Sequence, residues 1–177
     1  MSFFNLIAKR RSIRKYRQQP IEPEKVAQIL EAALRAPSSR GINPWQFIVV
    51  DEEETIRKLS DAKEHGSAFL KSAPLAIIVC AEAKKSDVWI EDASIASIYL
   101  ILAAEAVGLG SCWIQIRERK HNLEQTSEEF LREALKIPQG IRVESIIAIG
   151  YSDERKIGHS RDKLQDEKVF KNRYGQR

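Results

Sequence analysis

Between residues 92 and 107 the chain reads DASIASIYLILAAEAV, in which Ile95, Ile98, Tyr99, Leu102 and Ala106 recur at helical spacing and most other positions are Ala, Ile or Leu. A helix apolar around most of its circumference must be covered on several sides, either by its own core or by another subunit. Gly108 supplies a natural left-handed cap at its end. Glu105 interrupts the run, which therefore falls short of the roughly 18 uninterrupted apolar residues of a membrane span. The N-terminus has no signal-peptide pattern, and a soluble, unexported protein is expected.

Four short apolar runs, rich in β-branched residues, read as buried strands: residues 46–50, 75–81, 111–116 and 143–149. Helical patterns alternate with them. Val26, Ile29, Leu30, Ala33 and Leu34 mark an amphipathic helix with Pro23 in its first turn and Pro37 beyond its end. Asp51 and Glu54 read as a capping box ahead of Ile56 and Leu59. Thr126 and Glu129 do the same ahead of Leu131 and Leu135, with Pro138 as the stop. By pattern alone this alternation favours a doubly wound parallel sheet. The 177 residues fit one domain, without a repeat or an internal linker. After Gly150 the hydrophobic content collapses, so residues 151–177 read as a polar tail that is either held by something other than a core of its own or mobile.

Composition narrows the function classes. The 29 Lys and Arg against 25 Asp and Glu leave a net charge of +4, room for an anionic ligand but no histone-like excess. Cys80 and Cys112 sit in apolar runs without metal-ligand or redox spacing, which fits a reducing cytoplasm and no metal site. The densest positive cluster is Lys9-Arg10-Arg11-Ser12-Ile13-Arg14-Lys15-Tyr16-Arg17. In an extended segment Arg10, Ser12 and Arg14 share one face and bring two guanidinium groups and a hydroxyl toward one anion; the competing reading is a solvated basic stripe.

Gly108-Leu109-Gly110 precedes a strand and lacks a third glycine, so neither a dinucleotide fingerprint nor a P-loop is present. No nucleophile elbow, His-Glu-x-x-His or paired-carboxylate signature occurs either. His65, His121 and His159 read as surface histidines, Trp45 and Trp113 as core or pocket wall, and Cys112 as an inert core thiol.

Four separated segments together resemble the FMN-dependent nitroreductase family. They are Arg10-Arg11-Ser12-Ile13-Arg14-Lys15-Tyr16; Ala36-Pro37-Ser38-Ser39 through Asn43-Pro44-Trp45-Gln46-Phe47; Ala73-Pro74, followed by Asp92 and the long helix into Gly108-Leu109-Gly110-Ser111-Cys112-Trp113-Ile114; and Ile149-Gly150-Tyr151. The resemblance implies an α+β fold with a mixed central sheet flanked by helices, in an intertwined homodimer with FMN at the subunit interface and the C-terminal arm on the partner. It displaces the parallel-sheet reading.

The resemblance also implies roles. Arg10 and Ser12 look like phosphate and ribityl contacts, with Arg11 contributing through side chain or backbone. Arg14 is placed at the flavin N1/O2 edge, where negative charge accumulates on reduction. Ser38, Ser39 and Asn43 contact the cofactor from the opposite subunit. The strand residues Ile114, Gln115 and Ile116 lie where a backbone N–H addresses flavin N5. Arg161, with Lys163 in reserve, closes on the phosphate. Gly41 and Asn43 depart from the Asn and Gln frequent in the family, and the polar residue expected ahead of Ala73-Pro74 has no counterpart. The implied activity is a two-step exchange, NAD(P)H reducing the flavin and a nitroaromatic, quinone or similar small acceptor then taking the electrons. Family members that dehalogenate, oxidise rings or fragment flavin share this framework. Outside the enzymes the rival is a basic module that binds a polyanion; nucleic acid and membrane are not expected partners.

Overall fold

The computed structural model describes residues 2–177. In chain order the elements are α1 (Phe3–Lys9), α2 (Pro23–Leu34), β1 (Trp45–Val50), α3 (Glu53–Leu59), β2 (Leu75–Glu82), α4 (Trp89–Ala106), β3 (Gly110–Gln115), α5 (Ser127–Leu135) and β4 (Ile141–Gly150). The strands form one sheet in the order β1-β2-β4-β3, and every neighbouring pair runs antiparallel. Among the described residues, parallel pairing is confined to the isolated bridge between Ser12 and Ser111 on the outer edge of β3. The architecture is therefore the mixed α+β one that the resemblance implies.

The strand alternation failed to distinguish this sheet from a doubly wound one for a physical reason. β2 and β4 lie at the centre with helices on both faces, so their residues are buried on each side and read as continuous apolar runs, as central parallel strands do. Ile78, Cys80, Ile114 and Ile146 point to one layer, where Ile56 and Leu59 of α3 and Leu131 of α5 pack. Ile77, Val79, Ile147 and Ile149 point to the other, against Ile29 and Ala33 of α2 and Leu100 and Ala104 of α4.

Local chemistry sets most of the boundaries. Pro23 opens α2. At α5 the Thr126 hydroxyl accepts from the Glu129 N–H at 3.2 Å, and the Glu129 carboxylate accepts from the Thr126 N–H at 2.8 Å. Gly108 follows α4 with φ of +83°. The capping box expected of Asp51 and Glu54 does not form: Glu52 is the N-cap of α3 and no side chain bonds to its first-turn amides. The buried face of α4 carries Ala93, Ala96, Ser97, Leu100 and Ala104, whereas Ile95, Ile98 and Tyr99 are 38%, 47% and 37% exposed. The long helix thus keeps an apolar stripe that none of the described residues fully covers.

Residues 10–17 form a strap across the β3 and β4 ends. The Ile13 N–H donates to the Ser111 carbonyl and the Arg17 N–H to the Tyr151 carbonyl, both at 2.9 Å, and the Asp153 N–H donates to the Lys15 carbonyl at 2.8 Å. Two glycines that face each other across the strands make room for the strap. A Cβ on Gly110 would sit 2.8 Å from the Ile13 side chain, and one on Gly150 would sit 2.6 Å from Pro74 Cδ and 2.9 Å from Tyr16 Cδ1. Ile13 and Tyr16 are buried in this slot.

Replacing Gly150 with Ala forces that ring or Pro74 aside. The expected cost is about 1–3 kcal/mol, measured as a lowered urea midpoint with an unchanged slope; a midpoint equal to that of the natural chain contradicts the close packing.

Candidate functional site

The strap alternates as an extended segment should. Arg10 and Ser12 line a cavity of about 310 Å³ with Ser111, Cys112 and Trp113 of β3 and Ile98 and Ile101 of α4. Its size lies at the lower end of the roughly 300–1,000 Å³ typical of ligand pockets. Arg11 and Ile13 face the opposite side of the strap, toward Glu105, Gly108 and Lys156. The Arg11 guanidinium donates to the Ile157 carbonyl.

Arg14 departs from the expectation: it is exposed, does not line the cavity that Arg10 and Ser12 share, and its guanidinium lies 5.8 Å from the Phe69 ring centroid. Burial pushes the Cys112 thiol above its ordinary range, while Arg14, the Ser12 hydroxyl, Lys156 and Arg10 oppose that rise. Cys112 is buried, and it lines the cavity beside Ser12 and Trp113. Because that thiol is buried and held protonated, Cys112 is packing rather than a nucleophile.

Two further contacts fix the strap from the C-terminal side. The Lys156 ammonium donates to the Ser12 carbonyl at 2.7 Å, and the Arg14 N–H donates to the Glu154 carboxylate. Neither residue stands out in the sequence, because both lie in a stretch of mixed charge without periodicity.

The second group of expected site residues sits elsewhere. In the loop before β1 the Asn43 N–H donates to the Ser38 hydroxyl at 2.9 Å, and that hydroxyl donates to Asn43 Oδ1 at 2.6 Å. Arg40, Gly41 and Asn43 all have positive φ, so the loop is a tight structure that needs an anchor. Asp92, buried in the first turn of α4, provides it by accepting from the Ser39 N–H at 2.7 Å and the Ser86 hydroxyl at 2.9 Å. The sequence marks Asp92 only as a residue near a helix start. Ser38, Ser39 and Asn43 do not line the cavity of Arg10 and Ser12 within one chain.

At the end of β3, alternation decides which backbone groups are available. Since Ser111 accepts from Ile13, its peptide groups face away from β4, and those of Trp113 and Gln115 follow by the two-residue repeat. The Ile116 N–H donates inward to the Glu144 carbonyl at 3.1 Å. Of the backbone donors at this strand end, the Gln115 N–H is thus aimed at the outer edge and that of Ile116 is engaged. Arg161 lies in the exposed arm and pairs with Asp166 at 2.8 Å; Lys163 is exposed beside it. Neither lines the Arg10 cavity, whereas Lys156 of the arm reaches the strap through the Ser12 carbonyl.

Of the remaining sequence candidates, Trp113 is the cavity wall and Trp45 is buried against Phe47. His65 and His159 are exposed, but His121 is not a free surface histidine: its ring stacks on Phe130 at 4.2 Å and its Nδ1 lies 2.7 Å from the Asp61 carbonyl. Among the described residues no cluster of His, Cys, Asp and Glu could hold a metal ion, and no helix is long and apolar enough to cross a membrane.

A sequence profile of the Nitroreductase family matches residues 7–65 and 60–151. A solved structure of an FMN-dependent nitroreductase from Clostridium difficile R20291 superimposes with a TM-score of 0.96 at 48% identity, covering 97% of this chain and 100% of that one. A protein of Archaeoglobus fulgidus with the provisional name NADH dehydrogenase/NAD(P)H nitroreductase is 36% identical over 174 residues, 96% of this chain and 97% of the relative. An iodotyrosine deiodinase of Thermotoga neapolitana is 27% identical over 188 residues, 91% and 94% of the two chains.

Asp92→Ala leaves the half-buried Ser39 N–H and the buried Ser86 hydroxyl without their acceptor. The loop should open more often, and tryptic cleavage after Arg40 should speed up about tenfold or more. An unchanged cleavage rate in a folded variant contradicts the anchoring role.

Proposed function

The chain belongs to the nitroreductase family, and from that premise we propose that it is a homodimeric, NAD(P)H-dependent FMN oxidoreductase working in the cytoplasm. The observation that carries this reading is the cationic cavity formed by Arg10 and Ser12 on β3. An FMN phosphate needs donors in a sheltered place, and this cavity offers a guanidinium and a hydroxyl beside a sheet edge. The exposed apolar stripe of α4 supports the dimer, because Ile98 belongs both to the stripe and to the cavity wall. A second chain seated on the stripe completes the cavity and brings its own Ser38, Ser39 and Asn43 to it. Residues 151–177 are then an arm of the same single domain, packing on the partner, with Arg161 as its phosphate-closing candidate.

FMN, once bound, supplies the hydride-accepting and electron-donating chemistry. The protein's part is to bind and orient it. Arg10 and Ser12 hold the phosphate and ribityl end, and Arg11 secures the strap through the Ile157 carbonyl. Arg14 would supply positive charge and the Gln115 N–H a backbone donor to the flavin ring, with Ile116 keeping the strand end in register through the Glu144 carbonyl. NAD(P)H and a small acceptor such as a nitroaromatic or quinone use the same open face in turn. Reductive dehalogenation is the second reading, favoured by the deiodinase relatives. A polyanion-binding module fits less well, because Arg10 and Arg11 are half-buried and each points into a crevice rather than along an open stripe.

Titrating the purified protein with FMN and adding NADH or NADPH without oxygen tests this function. Arg10→Ala should weaken FMN binding about tenfold or more, whereas Arg14→Ala should mainly slow bleaching of the bound flavin. A colourless protein that takes up no FMN defeats the proposal, and equal effects of both substitutions on both readouts defeat the division of labour.

A further inference from the structure

β4 departs from regular pairing at one place. Val79 of β2 faces Ser145 and the next residue, Cys80, faces Val143, so Glu144 is an extra, bulged residue. Bulges re-aim a side chain and are frequent beside active sites. Here the bulge does two things. The Glu144 carbonyl accepts from both the Ile116 and Arg117 N–H groups at 3.1 Å, which closes the inner side of the β3 end. Its carboxylate, 3% exposed as a residue, turns toward β3.

The carboxylate meets a short chain of polar side chains. Gln115 Nε2 donates to Glu144 Oε1 at 3.3 Å and to the Arg117 carbonyl at 3.2 Å, while Gln115 Oε1 accepts from the Trp113 indole N–H at 2.9 Å. These partners fix the amide orientation: reversed, it would set NH2 against an indole N–H and an oxygen against two acceptors. Arg117 Nε stands 3.3 Å from Glu144 Oε2, but neither atom has a hydrogen bond in good alignment. A buried carboxylate with one oxygen unbonded is costly to keep. Burial pushes the Glu144 carboxyl above its usual range, with Gln115 and Arg117 pulling the other way. Packing alone would favour an apolar residue at this position.

We propose that Glu144 is a positioning residue: through the Gln115 amide it locks the Trp113 ring as the wall of the Arg10 cavity, and through its carbonyl it holds the β3 end whose Gln115 N–H faces the sheet edge. The inference rests on the reading of that cavity and edge as the flavin site. Glu144 touches neither cofactor nor substrate; it acts through Gln115 and Trp113.

The test uses the full-length chain labelled with 15N at tryptophan, first without FMN. The Trp113 indole resonance is identified by its loss in Trp113→Phe. In Glu144→Leu it should move, while those of Trp45 and Trp89 stay in place; Glu144→Met serves if the branched side chain is not accommodated. With FMN bound, the bleaching rate by NAD(P)H in either variant should fall about tenfold, with the FMN dissociation constant changed less than about threefold. Glu144→Gln, which keeps an acceptor opposite Gln115 Nε2, should restore both the resonance and the rate. A Trp113 resonance that stays put in folded Glu144→Leu or Glu144→Met overturns the proposal, as does a Glu144→Gln variant displaced as far as either. Failure of the natural chain to bind FMN removes the flavin reading, and the indole resonance still decides whether Glu144 positions Trp113.

Discussion

Two missing side chains hold this structure together. Gly110 and Gly150 face each other across β3 and β4, and the space they leave admits Ile13 and Tyr16. Without that slot the strap of residues 10–17 would remain a charged segment on the surface. With it, the strap is pinned by backbone bonds to Ser111 and Tyr151, and its two faces acquire different duties. Arg10 and Ser12 turn to the cavity, while Arg11 turns to the returning chain. The buried apolar residues supply the binding energy of the strap to the sheet, and the cations are positioned by it.

A second constraint works from the other end of α4. Asp92 is buried where a helix begins, and its two oxygens hold the 38–43 loop and Ser86. The same helix carries Ile98 into the cavity wall and exposes a stripe on the side that its own core leaves bare. One element therefore connects the loop, the cavity and the face proposed to receive a second chain. The Glu144 bulge adds a third point of control at the end of β3, where a regular ladder would have carried an ordinary cross-strand pair.

Much of this fold can be read from residue patterns. The strands at 45–50, 75–82, 110–115 and 141–150 lie within a few residues of their apolar runs, because each run is bounded by turn formers. The cap of α5 is legible because Thr126 and Glu129 satisfy each other locally. Strand direction is not, since burial on both faces erases the alternation that marks an antiparallel strand. The capping of α3 is misread because Asp51 and Glu52 are adjacent carboxylates and only the backbone path chooses between them. At the site, the alternation of Arg10, Ser12 and Arg14 is visible in one segment, whereas Lys156, Asp92 and Glu144 matter through contacts across 144, 53 and 29 positions of sequence. No local pattern encodes such contacts. Arg161 illustrates the converse: a cation in a polar arm looks available, but it is already paired with Asp166, five residues on.

The central claim is that the glycine slot turns a basic segment into an anion site. The most direct measurement is the FMN dissociation constant of Gly110→Ala, compared with Leu131→Ala, a core change in α5 remote from the strap. The slot account predicts that Gly110→Ala, which displaces Ile13, weakens FMN binding about tenfold or more, while Leu131→Ala, with its expected loss of about 2–5 kcal/mol of stability, leaves the affinity within about twofold. Equal affinities for FMN in Gly110→Ala and the natural chain would contradict it.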